Sequence, residues 1–148
     1  MIEYVHGDLF EAPVEALVNT VNTRGVMGAG LAKQFKERYP KMYAEYRRQC
    51  ALEIFRPGSV MPIKIEDGTR QWVLNFATKD DWRDPSKTDY IVTGLLDLHR
   101  AVRSIGIRSL AVPPLGCGLG GLKWPDVRKQ ISQILSDLEE VKILVYEP

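Results

Sequence analysis

The chain has 148 residues, 45% of them hydrophobic and 26% charged, which suits one globular domain with a real core and leaves too little chain for two. Its 20 Lys and Arg balance 19 Asp and Glu to a formal charge of +1, so no global field draws it towards nucleic acid or an anionic surface. Two cysteines and two histidines form no ligand pattern, and no apolar run approaches the roughly 18 residues of a membrane span. No signal segment is read before the first strand, so a metal-free, cytoplasmic protein is expected.

In chain order, Met1 to Val5 predicts a short strand stopped by His6, Gly7 and Asp8. Ala16 to Val21 predicts a buried strand from its branched residues. After Asn22, the segment Thr23 to Gly30 holds three glycines and enters a helical pattern through Leu31, Ala32 and Phe35. Pro40 starts a second helix, with Met42 or Tyr43, Tyr46 and Cys50 on its inner side. Ser59 to Ile65 reads as a strand that Pro62 demotes towards a sheet edge. An Asp67-Gly68 turn joins it to Trp72 to Phe76 as a hairpin in which register is easily mistaken.

Thr78 to Lys87 is the least core-like stretch. Beyond it Ile91, Leu95, Leu98, Val102 and Ile105 share one helical face, and Gly106 ends that helix. Ile107 to Val112 predicts a strand that runs into Pro113 to Gly121, and a last helix from Trp124 to Leu138 buries Val127, Ile131, Ile134, Leu135 and Leu138. Val141 to Tyr146 closes the sheet. The alternation of helices with apolar strands gives an α/β class with a mixed central sheet covered on both faces. Ligands of such sheets gather where strands end, and both Gly-rich segments leave strands there.

Glycine lets backbone N–H groups approach an anion, and a helix start adds a favourable dipole. Gly25, Gly28 and Gly30 fit that description before the first helix, and Gly116, Gly118, Gly120 and Gly121 before the last. Neither run is a Walker motif or a dinucleotide fingerprint, so two cradles for a diphosphate are favoured over phosphoryl transfer. Asp8 suits an adenine amino group, a ribose hydroxyl or a turn; Asn19 and Asn22 suit ribose hydroxyls or loop capping, and Asn75 a structural role. Lys79 reads as a phosphate clamp, a proton donor, an amine nucleophile or a solvated lysine. Trp82 offers a platform for an unpaired base or a lid over the core, and Arg83 a phosphate-reading cation. Lys33, Lys36, Arg38, Lys41, Arg47 and Arg48 form either a solvated helical surface or a nucleic-acid footprint.

His6-Gly7-Asp8-Leu9, Val18 to Asn22, Gly25 to Ala32 and Pro114 to Trp124 stand in one order along nearly the whole chain. Together they resemble the macrodomain family of ADP-ribose-binding folds, which implies a three-layer α/β/α sandwich across residues 1–148. Asn75 to Lys79, Trp82-Arg83, Tyr90-Ile91 and Gly94-Leu95 extend the likeness to the DarG branch. That likeness implies a DNA ADP-ribosyl glycohydrolase antitoxin removing ADP-ribose from thymidine in single-stranded DNA and reversing a DarT-type toxin. Lys79 and Asn22 would be catalytic, and Asp8 would read adenine. The ligand would lie along Asp8, Leu9 and Asn19, with Gly25, Gly28, Ala29, Gly30 and Leu31 in the first loop. In the second loop it would meet Pro114, Gly116, Cys117, Gly118, Leu119, Gly120 and Gly121. ADP-ribose is then a ligand and product rather than a cofactor. A monomer is expected, as is a longer natural antitoxin with a further domain after this one. A related branch that frees ADP-ribose from glutamate carries an aspartate where this chain has Gly120, a departure that weakens the glutamate reading. An acyl-ADP-ribose hydrolase and a noncatalytic ADP-ribose reader stay open beside it.

Overall fold

The computed structural model describes residues 1–148. Six strands form one sheet: β1 (Ile2–Val5), β2 (Ala16–Val21), β3 (Val60–Asp67), β4 (Arg70–Ala77), β5 (Ser109–Val112) and β6 (Lys142–Tyr146). Their spatial order is β1-β6-β5-β2-β4-β3, and every pair is parallel except β3 with β4. The proline-bearing β3 is an edge strand, where its missing N–H costs no ladder bond. Its hairpin partner begins at Arg70, earlier than Trp72, and the register shifts between Lys64 and Asp67.

The helices α1 (Gly30–Arg38) and α2 (Pro40–Ala51) cover one face, and α3 (Thr88–Ile105) and α4 (Trp124–Leu135) the other. Alternation along β2 sorts the two cores: Ala16 and Val18 face α3 and α4, while Leu17 and Val21 face α1 and α2. Gly94 lets α3 lie against the sheet, since a Cβ there would sit 2.2 Å from the Phe76 ring.

Two boundaries differ from the sequence expectation for local reasons. Strand β5 starts at Ser109 because the left-handed Gly106 cap turns the Ile107 N–H back onto Val102, removing it from the ladder. Helix α4 stops at Leu135, and Leu138 reaches the core from a turn in which its N–H bonds the Leu135 carbonyl. Ile105 and Ile134 are only half-buried. A 3-10 turn at Leu9–Glu11, absent from the sequence reading, follows β1 and is capped by Asp8, whose Oδ1 accepts the Phe10 N–H at 2.9 Å.

Candidate active site

Strands β2 and β5 are parallel neighbours, yet β2 continues to α1 on one face and β5 to α4 on the other. The diverging loops open a crevice at the carboxyl end of the sheet, the usual place for a ligand in such folds. It is a cleft of about 580 Å³, a volume suited to a nucleotide-sized molecule. One wall is Asn22, Val26 and Gly28 to Ala32, the other Pro113, Pro114, Gly116 and Gly118 to Gly120. Thr78, Lys79 and Trp82 close the end.

Both walls present backbone donors. Helix α1 has no side-chain cap at Ala29, and the N–H groups of Gly28, Ala29, Gly30, Leu31 and Ala32 have no partner in the protein. Unpaired donors at a helix start, with the dipole behind them, make an anion site. The second wall works differently from the sequence expectation. Leu122 and Lys123 separate Gly121 from the start of α4 at Trp124, so this loop is no helix N-terminus. Instead it coils on itself through Cys117 N–H to Pro114 O and Leu122 N–H to Gly116 O, leaving the N–H groups of Gly118, Leu119 and Gly120 free. Three such successive amides form a concave anion nest.

The Thr78 to Lys87 segment fastens the walls together. Thr23 donates its N–H to the Asp80 carbonyl and its hydroxyl to Asp80 Oδ1 at 2.7 Å, while Arg24 pairs with the same carboxylate at 3.3 Å. Buried Ser86 donates its N–H to Gly120 O at 3.0 Å and its hydroxyl to Thr78 O. Lys79 spans the gap, with Nζ 3.2 Å from the Leu119 carbonyl. An ammonium has three donors, so two remain for a ligand. Neither Asp80 nor Ser86 stood out in the sequence, because their partners lie far away along the chain.

Asn22 is held by its surroundings. Its Oδ1 accepts from Arg24 N–H at 2.9 Å, its Nδ2 donates to Val26 O at 2.8 Å, and one amide hydrogen stays uncommitted. Behind it, the fully buried Tyr46 hydroxyl donates to the Asn22 carbonyl at 2.7 Å, with Asn22 Oδ1 3.1 Å away. Burial pushes that hydroxyl far above its ordinary pKa, so it stays a neutral donor. Tyr46→Phe leaves these oxygens without their buried donor, and we expect about 1–2 kcal/mol lower stability with a several-fold weaker affinity for the ADP-ribose that the family resemblance implies. Thermal unfolding and calorimetric titration check this; unchanged affinity would show that Asn22 needs no such support.

Several expected ligand residues lie behind the cleft walls. Leu9 is core, and Asn19 is fully buried with its Nδ2 3.1 Å from Asn75 Oδ1. Gly25 packs on α2, and Gly121 bonds back to Gly118 O. Cys117 is half-buried beneath its loop, where burial pushes its thiol up to about 11, so it is no thiolate nucleophile at neutral pH. Asp8 stands past the end of β1, outside the cleft walls, with Oδ2 free. Trp82 lines the mouth and is 56% exposed, as a stacking platform must be. Arg83 does not line the cleft: its guanidinium grips Asp81 at 2.7 and 3.0 Å, and those hydrogen bonds hold the Asp81 carboxyl well below the usual carboxylate range.

The model of the Macro domain family matches residues 18–131. The chain belongs to the macrodomain family. The macrodomain of Mycobacterium tuberculosis DarG superposes with a TM-score of 0.97 at 45% identity, covering 100% of this chain and 98% of that one. Thermosipho africanus DarTG in complex with ADP-ribose gives a TM-score of 0.93 at 35% identity, covering 99% of this macrodomain and 41% of that chain. A DNA ADP-ribosyl glycohydrolase of Thermus aquaticus is 45% identical over 100% of this macrodomain, which covers 41% of that protein. The chain thus spans about two fifths of the length of the curated relatives it matches. Its mixed sheet between two helical layers is the macrodomain fold, shared over the full chain with the DarG macrodomains of Mycobacterium tuberculosis and Thermus aquaticus.

Proposed function

We propose that this macrodomain is a DNA ADP-ribosyl glycohydrolase, removing ADP-ribose from thymidine bases of single-stranded DNA and so reversing a DarT-type transferase. The observation that carries the reading is Lys79, whose ammonium reaches the Leu119 carbonyl within a run of free amides and which lines the cleft together with the exposed Trp82. The two amide-lined walls take the diphosphate, and Asp8, at the same end of the sheet, takes the adenosine end. Fixing the remote part orients the distal ribose beside Asn22 and Lys79. The bond from the ribose anomeric carbon to the base nitrogen breaks as positive character grows on the sugar. Water adds to that carbon, and the departing base nitrogen regains a proton. Protonated Lys79 stabilises the negative charge on the leaving base, or delivers that proton, without bonding to the sugar.

The names of the relatives support this reading, and one from Thermosipho africanus is a DNA ADP-ribosyl transferase–glycohydrolase fusion protein, which supports a DarT-type partner. The domain acts as a monomer in this proposal. The experiment is release of ADP-ribose from a purified single-stranded oligonucleotide modified on thymidine. Free ADP-ribose and restored DNA are the expected products. A folded protein that binds ADP-ribose yet releases none from DNA would sink the proposal and turn attention to glutamate or acyl esters, or to a reader role.

Trp82→Ala is expected to slow release from the modified strand by about tenfold or more, since stacking of a base on an aromatic ring contributes ~1–3 kcal/mol. Free ADP-ribose affinity should stay near that of the parent. Equal losses for both ligands in parallel titration and turnover assays would mean that Trp82 serves the domain's own packing.

A further inference from the structure

The cations of this chain are not spread evenly. Helices α1 and α2 hold six of its 20 Lys and Arg but two of its 19 carboxylates, so this layer alone is +4 in a chain of +1. All six cations are exposed. Arg48 is paired with Glu45 at 2.6 Å, and Arg38 lies over the Phe10 ring at 4.1 Å. Lys36 and Arg47 have no carboxylate partner and converge from the two helices on one half-buried ring, Tyr43, at 5.0 and 5.7 Å from its centre. Lys33, one turn from Lys36, shares its side of α1 and is likewise unpaired. Like charges gathered at one ring repel, and the cation–π contact of each with that ring offsets part of the cost.

This cluster packs against the first Gly-rich loop at Gly25, next to Val26, which lines the cleft. The Tyr43 hydroxyl reaches the Gly25 carbonyl at 3.5 Å, and the backbone of Arg47 packs beside Gly25. The next residue, Arg24, leans the other way onto Asp80 and Asp81, immediately before Trp82. The outer side of the first Gly-rich loop therefore runs from the mouth at Trp82, past Arg24 neutralised by its two carboxylates, to the unpaired cations Lys36 and Arg47 around Tyr43. An unpaired cationic cluster held in place by an aromatic ring suits the phosphates of a single strand.

We propose that the Lys36–Tyr43–Arg47 cluster is a docking station for the single strand leaving the cleft, contacting phosphates beyond the modified nucleotide. The proposal rests on the DNA reading above and adds where the rest of the strand runs. The test is binding at several salt concentrations, in a Lys79→Ala background to halt turnover, to three probes: free ADP-ribose, ADP-ribosylated thymidine nucleoside, and a long single strand carrying one modified thymidine. For Lys36→Ala/Arg47→Ala the long strand should bind about tenfold more weakly at low salt, and the slope of log affinity against log salt should fall by about 1.4. The two small probes should bind as to the parent, and Lys36→Arg/Arg47→Lys should restore the slope. A long-strand affinity and salt slope equal to the parent's would overturn the proposal, as would equal weakening of all three probes. These readouts need no catalysis, so failure of ADP-ribose release sinks the hydrolase reading separately.

Discussion

Replacing Lys79 by alanine should lower ADP-ribose release from modified DNA by ~10²–10⁴-fold, the usual range for one positioned proton donor or charge stabiliser. Affinity for free ADP-ribose should change little. The product carries no departing base, and the amides of both loops and the Asp8 end stay in place without the ammonium. Its one hydrogen bond within the protein is to the Leu119 carbonyl, on a wall already secured by Ser86, so its removal leaves the cleft standing. Lys79→Arg separates two roles: charge stabilisation alone predicts partial activity, whereas proton delivery predicts a loss near that of alanine, because arginine does not give up its proton. Single-turnover release with parallel titration of ADP-ribose reads both quantities. A Lys79→Ala protein that turned over at the parental rate would remove Lys79 from the chemistry.

Gly120→Asp should abolish measurable ADP-ribose binding at micromolar concentrations and lower stability by about 1–3 kcal/mol, without creating a glutamate hydrolase. The obstacle is backbone. A Cβ at Gly120 would lie 2.4 Å from the Gly116 carbonyl oxygen and 2.9 Å from Gly116 Cα, atoms that no rotamer change can move aside. Relief requires the loop to uncoil, breaking Leu122 N–H to Gly116 O and Ser86 N–H to Gly120 O. The new carboxylate would also stand in a nest of amides arranged for phosphate. Thermal unfolding, calorimetry and an assay on glutamate-modified protein test this. Retained binding together with new ester hydrolysis would show that the loop tolerates the aspartate after all, and that the glycine reports substrate choice alone.

The legibility of this chain follows the range of the interactions involved. Strand β2, α2 and the β3 edge position were readable because branched residues, Pro40 and Pro62 act through their own backbones. The two glycine loops were placed for the same reason, although the number of residues between Gly121 and α4 could not reveal that the second cradle is a coil of free amides rather than a helix start. Local sequence was blind to partners brought in from afar. Tyr46 looked like one more inward-facing helix residue, and only the fold sets its hydroxyl against Asn22. Arg83 is the opposite case: it suggests a phosphate-reading cation although its partner Asp81, only two residues earlier, is in plain view of the local sequence. Asp8 by itself suited adenine, a ribose hydroxyl or a turn alike; the structure shows the turn cap, and the choice of adenine rests on family likeness.

The stitching of Thr23 to Asp80 and of Ser86 to Gly120 has a kinetic consequence. Loops joined to one another before any ligand arrives have already lost their freedom when the chain folds, so that ordering is not charged against association. Capture of ADP-ribose should then proceed as a single encounter, with a rate linear in ligand concentration and no slower closing phase, and variants such as Tyr46→Phe that loosen the rim should show themselves first as faster departure.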